Sequence, residues 1–487
     1  MRKTWLLAGV LALAGCDLGP GPVQPKISMP TAWQEQSEAP TAWPAADWWK
    51  SFGSTELDGL MTEAQANNLD IAAAAARVMQ AESQLRVTGA SLFPLLNFTS
   101  NVKQRGPAGD PKLIEGSGSS SSLANDLGGS SSARHRSSLD VGLSASYELD
   151  FWGKNRDNVD AAKASLQSSQ FDRETVALTV TSGVASTYLQ IMTLKDRIAL
   201  ARQNLENAQS VEKVVESKTR NGAVSGLDLA QQQSQVSAQQ AAIPPLELQE
   251  KQATNALALL LGRNPEQFKL TGTGLKGVML PTVGTGLPSG LLTRRPDIQK
   301  AEADLLSANG NLLAARAAML PTIDLSADLS LEALATNFAF GGAGAAYSAA
   351  ASLLQPIFDA GQLRGQKDVA AGKQLELVQT YHSSILTALS DVENALASID
   401  SLKAQQQWQE AQVTQAGTAF DIAQSQYRAG SSELLPVLDA QRTVFQAQDS
   451  RLTILLSQFQ AAVSLYKALG GGWQAGAETA VATNAKP

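Results

Sequence analysis

From Leu139 to Phe151 apolar and polar side chains alternate without a break. Leu139, Val141, Leu143, Ala145, Tyr147, Leu149 and Phe151 take one face, and Asp140, Gly142, Ser144, Ser146, Glu148 and Asp150 the other. Period two predicts a strand with one apolar face. The run exceeds the roughly 9–11 residues that a tilted strand needs to cross a bilayer. Upstream, Leu96, Phe98 and Val102 alternate with Asn97, Thr99, Asn101 and Lys103. Much later, Ile323, Leu325, Ala327 and Leu329 alternate with Asp324, Ser326, Asp328 and Ser330, and a less regular partner runs from Tyr347 to Phe358. The chain therefore predicts four strands in two hairpins. Its inward polar set carries Asp140, Glu148, Asp150, Asp324 and Asp328, which would solvate a water-filled wall and bias it toward cations.

Elsewhere the period lengthens. Ile385, Leu389, Val392, Leu396 and Ile399 are spaced 4, 3, 4 and 3 residues apart, a coiled-coil seam. No proline falls between Pro111 and Pro244, or between Pro356 and Pro436. Arg220 lies 67 residues beyond Gly153, which as continuous helix is about 100 Å, with Gly183 expected to soften it. Each long helix should stop at Asn221-Gly222 or Ala429-Gly430, where glycine suits the left-handed C-terminal position. A return helix should then end near Leu261-Gly262 or Leu469-Gly470.

The two halves are copies. Asp70-Ile71 and Phe93-Pro94 recur as Asp297-Ile298 and Leu320-Pro321, a shift of 227 (Pro94 to Pro321). Beyond the hairpin the shift is 208 (Gly222 to Gly430, Gly262 to Gly470), because the first copy carries about 20 more residues in one Gly/Ser-rich loop. The predicted organisation is residues 1–15 as signal peptide, 16–56 as a lipid-anchored segment, and 57–270 as repeat 1. A linker, 271–293, leads to repeat 2 at 294–472 and a tail at 473–487. The hairpins fall at about 93–152 and 320–358, and the turns of the helix pairs near 221–228 and 429–439. Two such copies build a pseudo-symmetric wall rather than a cleft around one reactive group.

Composition narrows this further. Arg2-Lys3, the apolar stretch Trp5 to Ala14 and Leu13-Ala14-Gly15-Cys16 read as a lipoprotein signal, with Cys16, the single cysteine of the 487 residues, as the lipidation site. No later apolar run is long enough for a membrane helix, so entry into a membrane would be by strands. Four strands leave open edges that lipid cannot satisfy; three chains would pool twelve. A net charge of −7 argues against nucleic acid. No H-E-x-x-H, G-x-S-x-G or phosphate-binding G-x-x-x-x-G-K-[ST] occurs, and the two histidines, His135 and His382, suggest no metal site. The expectation is a protein that is not an enzyme and needs no cofactor.

Several motifs together resemble the outer-membrane factor (TolC-like) family of tripartite efflux pumps, in its lipoprotein branch. They are Arg294-Arg295-Pro296-Asp297-Ile298, then Tyr427-Arg428-Ala429-Gly430 with Leu435-Pro436-Val437-Leu438-Asp439, and Leu469-Gly470-Gly471-Gly472-Trp473. The resemblance implies a mixed α/β membrane protein, a homotrimer with a twelve-stranded outer-membrane β-barrel continued by an α-helical coiled-coil periplasmic barrel. The implied partners are outer-membrane lipid, a periplasmic adaptor (membrane fusion) protein and an inner-membrane transporter of RND type. The implied function is the exit duct for drugs or other small toxic compounds. Type I protein secretion, metal efflux and a lipid-tethered periplasmic scaffold are the alternatives. By matching positions, Leu435 and Asp439 would form apolar and charged rings of a periplasmic gate. Arg428, Tyr427 and Asp228 would hold the closed tip. Pro436 stands where the family pattern has an acid.

Overall fold

The computed structural model describes residues 29–34, 43–105, 136–334 and 344–473. The signal peptide, Cys16, His135 and the Gly/Ser-rich loop of the first hairpin lie outside the described residues. The order of elements is α1 (Thr55–Asn67), α2 (Leu69–Gly89), β1 (Leu95–Arg105), β2 (Arg136–Glu148), α3 (Lys154–Arg220) and α4 (Gly226–Leu260). These are followed by α5 (Pro296–Ala317), β3 (Thr322–Leu334), β4 (Gly344–Leu354), α6 (Gln362–Ala429) and α7 (Leu434–Ala468). A shift of 208 carries the bounds of α4 onto those of α7, and the start of α3 onto that of α6. The helix α3 runs through Gly183 unbroken.

Two compact units emerge, and each draws on both repeats. Among the described residues, one comprises 83–105, 136–163, 307–334 and 344–374; the other comprises 29–34, 43–82, 164–306 and 375–473.

The first unit holds one antiparallel sheet in the order β1-β2-β3-β4. The two hairpins are joined through β2 and β3, and Leu143 faces Leu329 while Glu148 faces Asp324. The alternation keeps its faces across the sheet. Phe98, Leu143, Leu329 and Tyr347 fall on one row, and Asn97, Ser144, Asp328 and Ser348 on the next. The apolar rows are open, with Phe98, Leu329, Tyr347 and Leu353 all exposed. Two predicted ends shift. The second strand stops at Glu148 rather than Phe151, and the fourth at Leu354 rather than Phe358. The physical cause at the former is Asp150. Its carboxylate accepts the backbone N–H groups of Asn155 and Arg156, both at 2.9 Å, so it caps the start of α3 and leaves the ladder. Asp359 does the same for α6, accepting from Gly361 at 2.9 Å and Leu363 at 2.8 Å.

The second unit is built on a large apolar cluster. Val184, Tyr188, Ile191 and Leu194 of α3 meet Ile385, Val392 and Leu396 of α6 there. Phe52, Leu257 of α4 and Phe459 of α7 complete the packing. Where each return helix ends, it is stitched to the start of its own repeat. The Asn68 amide donates to Leu260 O at 2.7 Å, and Arg295, at the position 227 residues later, donates to Ala468 O at 3.2 Å. The next turn brings Gly262 onto the carbonyl of Asn67 and Gly470 onto that of Arg294. Both glycines have positive φ (67° and 86°), and a Cβ on either would overlap that oxygen. The segment between repeats is clamped by Glu56. Its carboxylate accepts from Thr271 N at 2.6 Å and Oγ1 at 2.7 Å, from Gly272 N at 3.1 Å and from the Tyr188 hydroxyl at 3.3 Å. Burial alone would raise this carboxyl, but the hydrogen bonds from Thr271, Gly272 and Tyr188 outweigh it and hold it below the usual glutamate range.

Gly262→Ala and Gly470→Ala should each destabilise the detergent-solubilised protein by more than about 1 kcal/mol, read as a lowered thermal midpoint by circular dichroism; an unchanged midpoint would refute the close approach. Glu56, lowered in the folded chain, contributes stability fully above its unfolded value of about 4.3. That contribution is lost as pH falls through the folded value. Hydrogen-exchange protection around 270–278, corrected for the intrinsic pH dependence of amide exchange, should therefore fall on acidification below that range, and Glu56→Gln should show the lowered protection already at neutral pH.

Candidate functional site

The two turns that join the long helices to their return helices pack against each other. Val211 and Val215 of α3 and Ala423 and Tyr427 of α6 form a buried cluster with Leu434, Val437 and Leu438 of α7. Tyr427 is only 2% exposed and so belongs to this core. Burial, with the Asp228 carboxylate nearby, raises its hydroxyl above the usual tyrosine range. Lys218 ties the repeats together. Its ammonium donates to Tyr427 O and lies 4.2 Å from the centre of the Tyr427 ring. No sequence pattern marks that lysine; only its place in the last turn of α3 would have suggested it.

The two return helices begin differently. Ser225 caps α4 by accepting from Asp228 N at 3.3 Å, and the Asp228 carboxylate accepts from Ser225 N at 3.0 Å. This is a reciprocal capping box. Within the chain, then, Asp228 is engaged by its own helix start rather than by Arg428. In α7 the matching positions are Glu433, which makes no side-chain cap, and Pro436. Pro436 has no N–H to satisfy, so the missing cap leaves fewer orphan donors. The proline thus replaces a carboxylate and removes the need for it together.

Other candidates lie on the surface. Leu435 is 56% exposed, and Leu227, 208 residues earlier, is 66% exposed; the sequence reading had missed Leu227, although the repeat shift points to it. Asp439 is exposed beside Arg442 at 3.7 Å. Arg428 and its counterpart Arg220 each sit in the last turn of a long helix, and neither makes an ion pair among the described residues. Of the strand acids, Asp140, Glu148, Asp324 and Asp328 share one face by register. Glu148 pairs with Lys154 at 2.6 Å, and Asp328 accepts from Ser348 Oγ at 3.3 Å. Asp150 does not join this face, because it caps α3. No group of histidine, cysteine and carboxylate side chains suited to a metal occurs among the described residues. No described helix is long and apolar enough to cross a membrane.

This arrangement matches that of known channels. The family model described as outer membrane efflux protein matches residues 60–263 and 287–471. The pyoverdine export outer membrane protein OpmQ of Pseudomonas putida is 42% identical, over 98% of this chain and 99% of that protein. The cation efflux system protein CusC of Escherichia coli O6:H1 is 31% identical, over 95% of this chain and 97% of its own length. The crystal structure of the open state of the Neisseria gonorrhoeae MtrE outer membrane channel superposes with a TM-score of 0.80 at 26% identity, covering 93% and 98% of the two chains. The protein is thus a transport channel of the outer membrane and not an enzyme, and the chain belongs to the outer membrane efflux protein family.

Proposed function

We propose that three copies of this chain form the exit duct of a tripartite efflux system, lipid-anchored through Cys16 and gated at the packed helix turns. The observation that carries the reading is the single sheet in which β2 and β3 join the hairpins while β1 and β4 end it. Its apolar face is exposed, and backbone groups at a sheet edge find no partner in lipid. Closure with two further copies gives twelve strands and removes every edge. The polar face bearing Asp140, Glu148, Asp324 and Asp328 then lines the lumen. The long helices α3 and α6 follow the hairpins in the chain and end at the packed turns, where an adaptor and an inner-membrane transporter, of RND type on the family resemblance, deliver cargo and energy.

The gate follows from the same placement. Leu435, one helical turn from Asp439, is exposed within the single chain and lies on the helix that starts at the turn. Three leucines around a common axis exclude water, and three Asp439 carboxylates repel each other and attract cations. Arg428, which makes no ion pair among the described residues, is available to bind a neighbouring copy. For cargo, the 42% identity with OpmQ supports a small secreted molecule of the pyoverdine kind over drugs at large.

Arg428→Ala combined with Asp439→Ala should raise single-channel conductance in planar bilayers; conductance equal to wild type would remove these residues from the gate. Expression in a Pseudomonas putida strain lacking OpmQ should return pyoverdine in the medium to near the wild-type level. Restored resistance to drugs, solvents or cations without restored pyoverdine would keep the duct and discard this cargo.

A further inference from the structure

In the second unit the apolar packing is interrupted partway toward the turns. The large cluster reaches Leu194 on α3, Ile399 on α6 and Leu455 on α7. The clusters at the turns begin only at Val211 on α3, Val413 on α6 and Ala447 on α7. Ile198 and Ala208, buried in the interval, join neither side. What spans the gap between helices is polar. Gln458 Nε2 donates to Leu402 O at 3.2 Å and Gln406 Oε1 at 2.8 Å. Gln409 Nε2 donates to Ala447 O at 2.9 Å, and Arg197 holds Asp449 through two bonds of 2.7 and 2.9 Å.

A second, independent feature lies at the same level. Pro244 and Pro245 sit inside α4, three residues from Glu247, which Arg202 of α3 binds at 2.8 Å. Neither proline has an N–H, so the carbonyls of Gln240 and Ala241 lose their helical donors, and a helix bends most easily at such a point. In α7 the matching residues are Leu452 and Thr453, so only the first repeat carries the interruption. Among the described residues, Asn204 Oδ1, Gln448 Oε1 and Gln458 Oε1 of the belt are buried with no hydrogen-bond donor beside them.

We propose that this polar belt is a flexural joint, about which the packed turns move as one body relative to the large cluster. Interdigitated apolar side chains resist sliding because any displacement opens voids. Amide-to-carbonyl bonds exchange partners at little net cost, since each broken bond is replaced by another. Proline in α4 removes the stiffness that an intact ladder would impose. Movement therefore concentrates at the belt and leaves both apolar bodies whole. The use of this joint rests on the proposed gate; its existence does not.

Hydrogen exchange by mass spectrometry on the full-length, detergent-solubilised protein tests it. Peptides within 211–240 and 413–445 should exchange at least about tenfold faster than those within 180–194, as expected of a separately opening unit. Gln448→Leu with Gln458→Leu bridges the apolar gap, and Pro244→Ala with Pro245→Ala restores the ladder. Each pair should slow the turn peptides severalfold while the 180–194 peptides stay unchanged. The proline pair is exposed and keeps the core intact, so it decides the matter if the leucine pair fails to assemble. Equal exchange on both sides of the belt in the wild type, or no slowing in the proline variant, would overturn the joint. Conductance of the Arg428 and Asp439 variant reads the gate separately, so the two failures are distinguishable.

Discussion

Everything in the second unit hangs on where each return helix meets the beginning of its own repeat. There, backbone approaches backbone so closely that only glycine fits, at Gly262 against Asn67 and at Gly470 against Arg294. The same junction places the last helical carbonyl within reach of a side chain, Asn68 in one copy and Arg295 in the other. A long helix and its return can stay registered over 35 residues of α4 or α7 only if both ends are fixed. The far end is fixed by the Lys218–Tyr427 contact and the capping box; the near end is fixed here.

This junction explains why motifs distant in sequence belong together. Arg295 pairs with Asp297 at 2.6 Å and with Asp391 at 3.0 Å, so the start of the second repeat binds its own helix and α6 as well as the C-terminal turn. Burial opposes the charge on Arg295, but the two carboxylates more than compensate and raise its affinity for the proton. The glycine run at 470–472 and the Arg294-Arg295-Pro296-Asp297 segment are one packing unit, written at opposite ends of the repeat.

Much of the fold was legible because it depends on periodicity. The strand faces followed from alternation, the seam from Ile385, Val392 and Leu396 followed from heptad spacing, and the helix ends followed from Gly222 and Gly430. Ends set by a single side chain were not legible. Alternation counts Asp150 as the next inward residue, whereas two free amides of α3 claim its carboxylate. The resemblance places Tyr427 among the residues that hold the closed tip, but no periodicity marked that its ring packs into the core of the turn. Lys218 was invisible because a cation in the last turn of any helix suits the dipole, and nothing local says which carbonyl it will reach. Asp228 was read from the resemblance as an acidic partner in the contacts of the closed tip, and Ser225 three residues earlier already spelled a capping box.

The unlike side chains at the two junctions carry a further implication for ancestry. Asn68 anchors one carbonyl as a neutral amide, while Arg295 anchors its counterpart as a cation that also serves Asp391. At the shift of 208 Asp391 corresponds to Gly183, so the asparagine copy has no carboxylate there to neutralise, while the arginine copy carries its own in Asp297 and Asp391. Each junction has thus changed together with the residue it faces, and neither Asn68 nor Arg295 can be exchanged without its surroundings.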